Sequence, residues 1–282
     1  MTGFTELPFV KGHGTGNDFV LIPDVEGTRS LTPNQVAWLC DRHRGVGGDG
    51  ILRVVRTQHV PEFADVAGLA EFFMDYRNAD GSLAEMCGNG ARVFARYLHS
   101  TGLVEDAEVT LATRGGLRTT ILNADGSISV DMGGATSSLE GSCVKVDARS
   151  WPAVPVFVPN PHAVAFVDDL GDAGSLLRAP GLSPAGVFPS GANVEFVVIR
   201  GHRHVAMRVH ERGVGETLSC GTGACAVAWA ARRRLEPEFR GETTYRVDVP
   251  GGTVSVTETA AGSMVLTGPA DLVARGTALL PD

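Results

Sequence analysis

The sequence predicts an α+β fold, a mixed α/β chain built from two related halves, and three observations carry that expectation. Strand-like apolar runs dominate and do not alternate regularly with helices, which disfavours a doubly wound parallel sheet. A cysteine-glycine box occurs twice, as Cys87-Gly88-Asn89-Gly90-Ala91 and Cys220-Gly221-Thr222-Gly223-Ala224, each running into a helical stretch. The two cysteines stand 133 residues apart in a chain of 282, close to half its length. A single core usually stops growing at about 250–300 residues, so two domains are expected.

Taken in order, residues 19–22, 51–55, 71–74 and 194–199 have the apolar composition of strands. Helices are expected at 32–42, 90–100 and 223–233, with a short one at 174–177. The first is well signalled: Thr32 can cap it, Pro33 suits its first turn and Gln35 sits three residues beyond the cap. Residues 119–130 form a hairpin pattern with Asp125-Gly126 at the turn. Residues 57–69 have the character of a surface loop. A weaker echo of Asn17-Asp18-Phe19-Val20 in Asn193-Val194-Glu195-Phe196-Val197 supports the duplication. The junction is placed after the hairpin: residues 1–131 with 269–282 form the domain carrying Cys87, and 132–268 the domain carrying Cys220.

Composition removes several classes of function. With 24 Lys and Arg against 32 Asp and Glu, the net charge of -8 argues against nucleic acid and against an anionic membrane surface. No apolar run approaches the roughly 18–20 residues of a membrane span. The first residues lack the basic and apolar regions of a secretory signal. Five cysteines, an odd number in a chain this long, do not make a disulfide framework. Reduced thiols and a cytoplasmic location are expected.

A thiol is a poor base until it ionises, and both boxes place the cysteine at a helix start. Backbone N–H groups and the positive dipole end stabilise a thiolate there, pulling its pKa below about 8.5. The glycines let the backbone approach an anion such as a carboxylate. Two such boxes suit racemisation by two bases, one thiolate removing an α-hydrogen while the other thiol delivers a proton to the opposite face. A lone cysteine at a helix start is more often a packed small side chain, and that is the reading for Cys40, Cys143 and Cys225. Zinc is disfavoured because neither box has a second cysteine at C-x₂-C spacing, and no metal site is expected.

Several motifs mimic other functions. Gly45-Val46-Gly47-Gly48-Asp49-Gly50 matches a dinucleotide fingerprint, but a helix precedes it and a strand follows, the reverse of what that site needs. His202, His204 and His210 are assigned to a polar surface hairpin. Arg232-Arg233-Arg234 is assigned to a solvated helix end. Asn78-Ala79-Asp80-Gly81-Ser82 recurs as residues 123–127, where it is turn chemistry alone.

Ordered motifs along the chain resemble the diaminopimelate epimerase family. They are Lys11-Gly12-His13-Gly14-Thr15-Gly16-Asn17-Asp18-Phe19, Arg77-Asn78-Ala79-Asp80-Gly81-Ser82 and Met86-Cys87-Gly88-Asn89-Gly90-Ala91-Arg92 in the first half. Asn160-Pro161-His162, Asn193-Val194-Glu195-Phe196, Glu211-Arg212-Gly213-Val214-Gly215-Glu216-Thr217 and the second box complete the set. The resemblance implies two pseudo-symmetric domains of mostly antiparallel sheet, each wrapped around a central helix, with the active site in the cleft between them. It also implies that the last strand, near 271–280, returns to the first domain. It implies a cofactor-independent isomerase that interconverts LL- and meso-diaminopimelate for lysine and peptidoglycan synthesis. Cys87 and Cys220 would be the catalytic acid/bases, tuned or oriented by His162 and Glu211. Asn17, Asn78, Asn160, Asn193, Glu211 and Arg212 would bind substrate, with the backbone at Gly88, Asn89, Gly221 and Thr222.

The residue types suit a substrate with two amino-acid ends: Arg212 can grip a carboxylate, Glu211 can pair an ammonium, and the asparagines read polarity without charge. Three positions depart from the family pattern. Gly50 follows Asp49 where a polar residue, often glutamine, is usual; Asn160 follows Pro159 rather than glycine; and residues 57–69 are longer than usual. The expected partner is the small-molecule substrate, with a homodimer the assembly considered. The alternatives are a proline or hydroxyproline racemase, which usually carries His at the place of Asn89, and a thiol-redox switch that would exchange no α-hydrogen.

Overall fold

The computed structural model describes residues 3–138 and 140–281. The chain folds as two compact units, Met1–Val130 with Pro269–Asp282, and Asp131–Gly268. Unit 1 contains β1 (Phe4–Gly14), β2 (Asn17–Pro23), β3 (Gly50–Arg56), β4 (Phe72–Asn78), β5 (Glu108–Thr113), β6 (Gly116–Leu122) and β7 (Ile128–Gly134), the division falling within β7. The strands pair in chain order. β2–β3 and β4–β5 are parallel and the other steps antiparallel. Parallel neighbours need a crossover. Helix α1 (Pro33–Cys40) supplies the first and α2 (Gly88–Ser100) the second.

Unit 2 contains β8 (Thr136–Ser137), β9 (Ser142–Val146), β10 (Arg149–Val158), β11 (Asn160–Phe166), β12 (Gly181–Ser183), β13 (Asn193–Gly201), β14 (His204–Glu211), β15 (Gly215–Thr217), β16 (Thr243–Val249), β17 (Gly252–Glu258) and β18 (Ser263–Gly268). The ladder β10–β11–β13–β14–β16–β17–β18 repeats that of β1 to β7 sense for sense. Its parallel steps are β11–β13 and β14–β16, and α3 (Gly221–Leu235) crosses the second. Register repeats too: Phe19 lies opposite Gly50 on the β2–β3 pair, and His162 opposite Asn193 on β11–β13. A final strand, β19 (Asp271–Pro281), pairs antiparallel with β1 in unit 1. The fold class is thus α+β with a mixed sheet, its parallel pairs confined to the crossovers.

Each sheet curls around one helix: α2 touches β1, β2, β3, β4, β6 and β19, and α3 touches β10, β11, β13, β14 and β16 to β18. Strands beneath these helices are covered on both faces, which explains their continuous apolar runs. In unit 1, Val20, Ile22 and Ile51 pack under Val36 and Leu39 of α1. In unit 2, Val194, Phe196 and Val198 pack instead under Ala173, Leu176 and Phe188 of the β11–β13 connection. Arg92, fully buried in α2, donates to Thr15 Oγ1 at 3.2 Å and to the Pro269 carbonyl at 3.3 Å. Arg96 donates to the Ala270 carbonyl at 3.0 Å, so α2 holds the entry to β19 from two successive turns.

Helix α1 closes its capping box, Thr32 and Gln35 each accepting from the other's backbone N–H. Helices α2 and α3 start two residues earlier than the sequence pattern suggests, because the cysteine itself is the cap. Four further expectations need correction. The short helix at 174–177 is instead a 3₁₀ turn at Leu170–Ala173, capped by Asp169 and ended by Gly174 at φ 65°. Residues 57–69 contain 3₁₀ turns at Thr57–His59 and Pro61–Val66, and Val60, Phe63 and Val66 pack on Val55, Ala70, Phe73 and Ala112. Arg232 is buried, and Arg233 pairs bidentately with Glu258 while stacking 3.6 Å from the Trp229 ring, so the arginine run is anchored. His210 is buried and His204 binds Asp248 at 2.7 Å, so only His202 is exposed as a surface hairpin would require.

Candidate active site

Both cysteines occupy the same local structure. Cys87 is the N-cap of α2 at φ -140°, ψ 121°, and Cys220 that of α3 at φ -121°, ψ 113°. Each sulfur accepts the N–H of the second glycine of its box, Gly90 or Gly223, at 3.4 Å. Sulfur here fills the role usually taken by a Ser, Thr, Asn or Asp oxygen. The N–H groups of a helix start point outward with the positive end of the dipole, a setting that suits a carboxylate.

In unit 1 the residues around the thiol form a chain. The Cys87 S–H donates to Asn17 Oδ1 at 3.6 Å, and the Asn89 amide donates to the same oxygen at 3.1 Å. The Asn17 amide donates to Asp49 Oδ2 at 2.7 Å, and Arg42 binds the other Asp49 oxygen at 2.8 Å. Arg42 also forks onto Asp18. Asn78 is held in a tight turn, its amide donating to Ser82 Oγ at 3.0 Å. The verbatim copy at residues 123–127 makes the same turn with the same 3.0 Å bond, so the repeat is one of backbone chemistry in both places. Gly50 has no room for the family's polar side chain, since a β-carbon there would collide with the Arg77 carbonyl and the Tyr76 ring.

In unit 2 a buried histidine and carboxylate stand among the residues near the thiol. His162 and Glu195 are both fully buried, with Nδ1 2.6 Å from Glu195 Oε1. The other ring nitrogen, Nε2, lies 3.0 Å from Asn160 Oδ1. Asn193 Oδ1 accepts the Arg212 backbone N–H at 2.9 Å, and the exposed Arg212 guanidinium donates to the Ser190 carbonyl. Thr217 donates to the half-buried Glu211 carboxylate at 2.5 Å. Thr222 Oγ1 is 3.5 Å from the Cys220 sulfur.

Charge separates Cys220 from the expectation of a depressed thiol. Burial pushes its pKa well above the ordinary value, and the carboxylates of Glu211 and Glu195 push it the same way. Donation from the Thr222 hydroxyl and the Gly223 N–H pulls back less strongly. The helix start is therefore outweighed by desolvation, and the resting form of Cys220 is the thiol. Cys40, in the α1 core, is pushed by burial to about 12, in keeping with a packing role.

The family model described as diaminopimelate epimerase matches residues 9–137 and 156–273. The chain belongs to the diaminopimelate epimerase family. A diaminopimelate epimerase of Streptomyces coelicolor is 56% identical over 275 residues, covering 96% of this chain and 95% of that one. One from Mycolicibacterium smegmatis is 44% identical, covering 95% of each. Among solved structures, a Bacillus anthracis phenazine biosynthesis protein of the PhzF family has a TM-score of 0.72 at 18% identity, covering 97% of this chain and 99% of its own. A hydroxyproline epimerase from Agrobacterium vitis has a TM-score of 0.66 at 16% identity, covering 100% and 95%. These two share the fold. Among the described residues no helix is long and apolar enough to cross a membrane.

Two residues that hold the predicted side chains, Asp49 on Asn17 and Glu195 on His162, were missed in the diaminopimelate epimerase motifs. Asp49 passed as part of a glycine-rich loop. Glu195 passed as one more residue of a strand, although a carboxylate inside an otherwise apolar run is itself a signal, since burying a charge is costly unless it is paired. His162 and Asn160, named from the motif, do meet in the structure, and Glu195 is what fixes them.

Proposed function

We propose that this chain is a cofactor-independent epimerase that interconverts LL- and meso-diaminopimelate with Cys87 and Cys220 as its two acid/bases. One observation carries the reading: two cysteines cap two helices, each sulfur accepting the N–H of the second glycine of its box at 3.4 Å, within two repeats of one ladder. The thiolate of one cysteine takes the α-hydrogen, forming an S–H bond, while the electron pair stays on carbon and spreads into the carboxylate. The thiol of the other gives its proton to the opposite face and is left as thiolate, so the two sulfurs exchange protonation states in each turnover. The helix-start N–H groups stabilise the developing charge on the carboxylate.

Arg212 and Glu211 recognise one amino-acid end of the substrate, and Asn17, Asn78, Asn160 and Asn193 its remaining polar groups. Requiring both ends would exclude ordinary amino acids, because unmet polar groups in the site penalise a shorter ligand. The enzyme works on lysine and peptidoglycan precursors in the cytoplasm, and a homodimer is the assembly to check by light scattering. The test is incubation with LL-diaminopimelate in D₂O under reducing conditions without pyridoxal phosphate. Deuterium entering the α-position together with the meso isomer is expected. Absence of exchange would overturn the reading, and exchange of proline in its place would move the activity to the racemase alternative.

A further inference from the structure

The two units carry the same backbone beneath the two cysteine boxes but not the same chemistry. By register, Phe19 and Leu52 of unit 1 correspond to His162 and Glu195 of unit 2. The correspondence is borne out at the helix starts. A β-carbon at Gly90 would meet Leu52 at 3.4 Å and Phe19 at 3.5 Å, whereas one at Gly223 would meet Glu195 Oε1 at 2.8 Å and the Cys220 sulfur at 3.3 Å. An apolar pair therefore suffices for the fold at this position. Replacing such a pair by a buried carboxylate with a hydrogen-bonded imidazole is often neutral or costly for stability, so stability does not explain why unit 2 holds one.

The geometry points to Glu195 as a positioning residue, which holds His162 so that Asn160 meets the substrate and stands as a fixed negative charge behind the Cys220 sulfur. His162 Nδ1 lies 2.6 Å from Glu195 Oε1 and Nε2 lies 3.0 Å from Asn160 Oδ1, so the ring is held between the two. With its oxygen engaged by the ring, Asn160 keeps its N–H₂ group as the donor that a substrate carboxylate would take. Among the described residues Glu195 Oε2 is buried with no hydrogen-bond partner, so its charge is left for its neighbours to feel. Gly223 is the residue that lets the carboxylate approach, because any side chain there would press on it. The same carboxylate adds to burial in disfavouring a Cys220 thiolate.

This proposal rests on the epimerase reading, and the wild-type exchange assay separates the two: no exchange by wild type defeats that reading, whatever Glu195 does. With wild type active, Glu195→Gln should lower kcat/KM about a hundredfold, the scale of a misplacement of ~1 Å in a reacting site. The loss should be shared between KM, through Asn160, and kcat, through Cys220, and Glu195→Asp should recover part of it. Mass-mapped alkylation by iodoacetamide at pH 8 should modify Cys220 faster in Glu195→Gln than in wild type. The double variant His162→Phe with Glu195→Leu installs the unit 1 pair, and should fold with an unchanged melting temperature while losing activity. Wild-type kcat/KM in Glu195→Gln or in the double variant, or an unchanged Cys220 alkylation rate, would overturn the proposal.

Discussion

The half of the molecule that carries Cys87 and the half that carries Cys220 have the same ladder, the same helix crossover and the same sulfur cap, yet the second glycine of one box packs toward Leu52 and Phe19 and that of the other toward the Glu195 carboxylate. The shared part is what folding requires: a sheet curled on a helix, with glycines where the helix start must be approached closely. The part that differs is what chemistry requires. The two cysteines thus share a backbone setting but not their surroundings. In unit 1 the thiol reaches Asn17 and, through it, the solvent-facing Asp49 and Arg42; in unit 2 it sits among carboxylates out of water.

The strongest way to break the comparison is to remove either sulfur. Cys87→Ala and Cys220→Ala should each reduce interconversion by about 10³-fold or more, within the range a positioned acid or base supplies. An epimerase assay by chiral chromatography checks this. Near-wild-type turnover in either variant would mean that one half alone performs the reaction.

The next largest effect should come from exchanging the supports in the opposite direction. Leu52→Glu puts an unpaired carboxylate under α2, where Leu52 is fully buried. The expected cost is ~3–5 kcal/mol of folding stability, the scale of an uncompensated buried charge. Adding Phe19→His should recover part of it by rebuilding the unit 2 pair. Urea unfolding followed by circular dichroism measures both. Equal stability of Leu52→Glu and wild type would show that the two sites are not equivalent in burial.

Gly50 and Asn193 give a smaller test at another matched position. Both open the second strand of a parallel pair, Gly50 facing Phe19 and Asn193 facing His162, but Asn193 has room to bind the Arg212 N–H while Gly50 is closed in by Arg77 and Tyr76. Restoring the family's usual glutamine, Gly50→Gln, should cost about 2 kcal/mol by overpacking and should not raise kcat/KM. A melting curve and a kinetic assay check the two parts.

Much of this was legible in the sequence because it is written in local chemistry. The Cys-Gly-x-Gly-Ala boxes, the Thr32–Gln35 capping box and the Asp125-Gly126 turn act within four residues, and each forms as expected. What was not legible depends on residues far apart meeting in space. Glu195 hides because Val194, Phe196 and Val198 fill one face of β13 while Glu195 itself faces α3, so both faces are buried and no alternation marks the odd residue. Desolvation at Cys220 is likewise a property of what surrounds it; the helix start alone predicts the opposite shift. The arginine run at 232–234 reads as solvated until Glu258 and Trp229 are brought beside it.

The parallel crossovers sharpen the comparison at its smallest scale. In unit 1 the β4–β5 side is tied by a buried carboxylate, Asp75, bound by Arg53, Arg77 and Arg114. In unit 2 the β14–β16 pair is tied by the partly exposed Asp248, bound by His204, Arg246 and Thr253. Burial pushes the Asp248 carboxyl up, but the bonds from His204, Thr253 and Arg246 together outweigh it and hold the pKa at about 2, against an ordinary 3.8. A carboxyl with a depressed folded pKa contributes stability that is present above the unfolded value and lost as pH falls through the folded one. Wild type should therefore exceed Asp248→Asn by no more than about 1 kcal/mol above pH 4, given solvent screening of the pair. The difference should shrink steadily between pH 4 and pH 2. Urea midpoints of the two proteins across that range test it, and a gap that stayed constant down to pH 2 would assign the effect to lost packing rather than to charge.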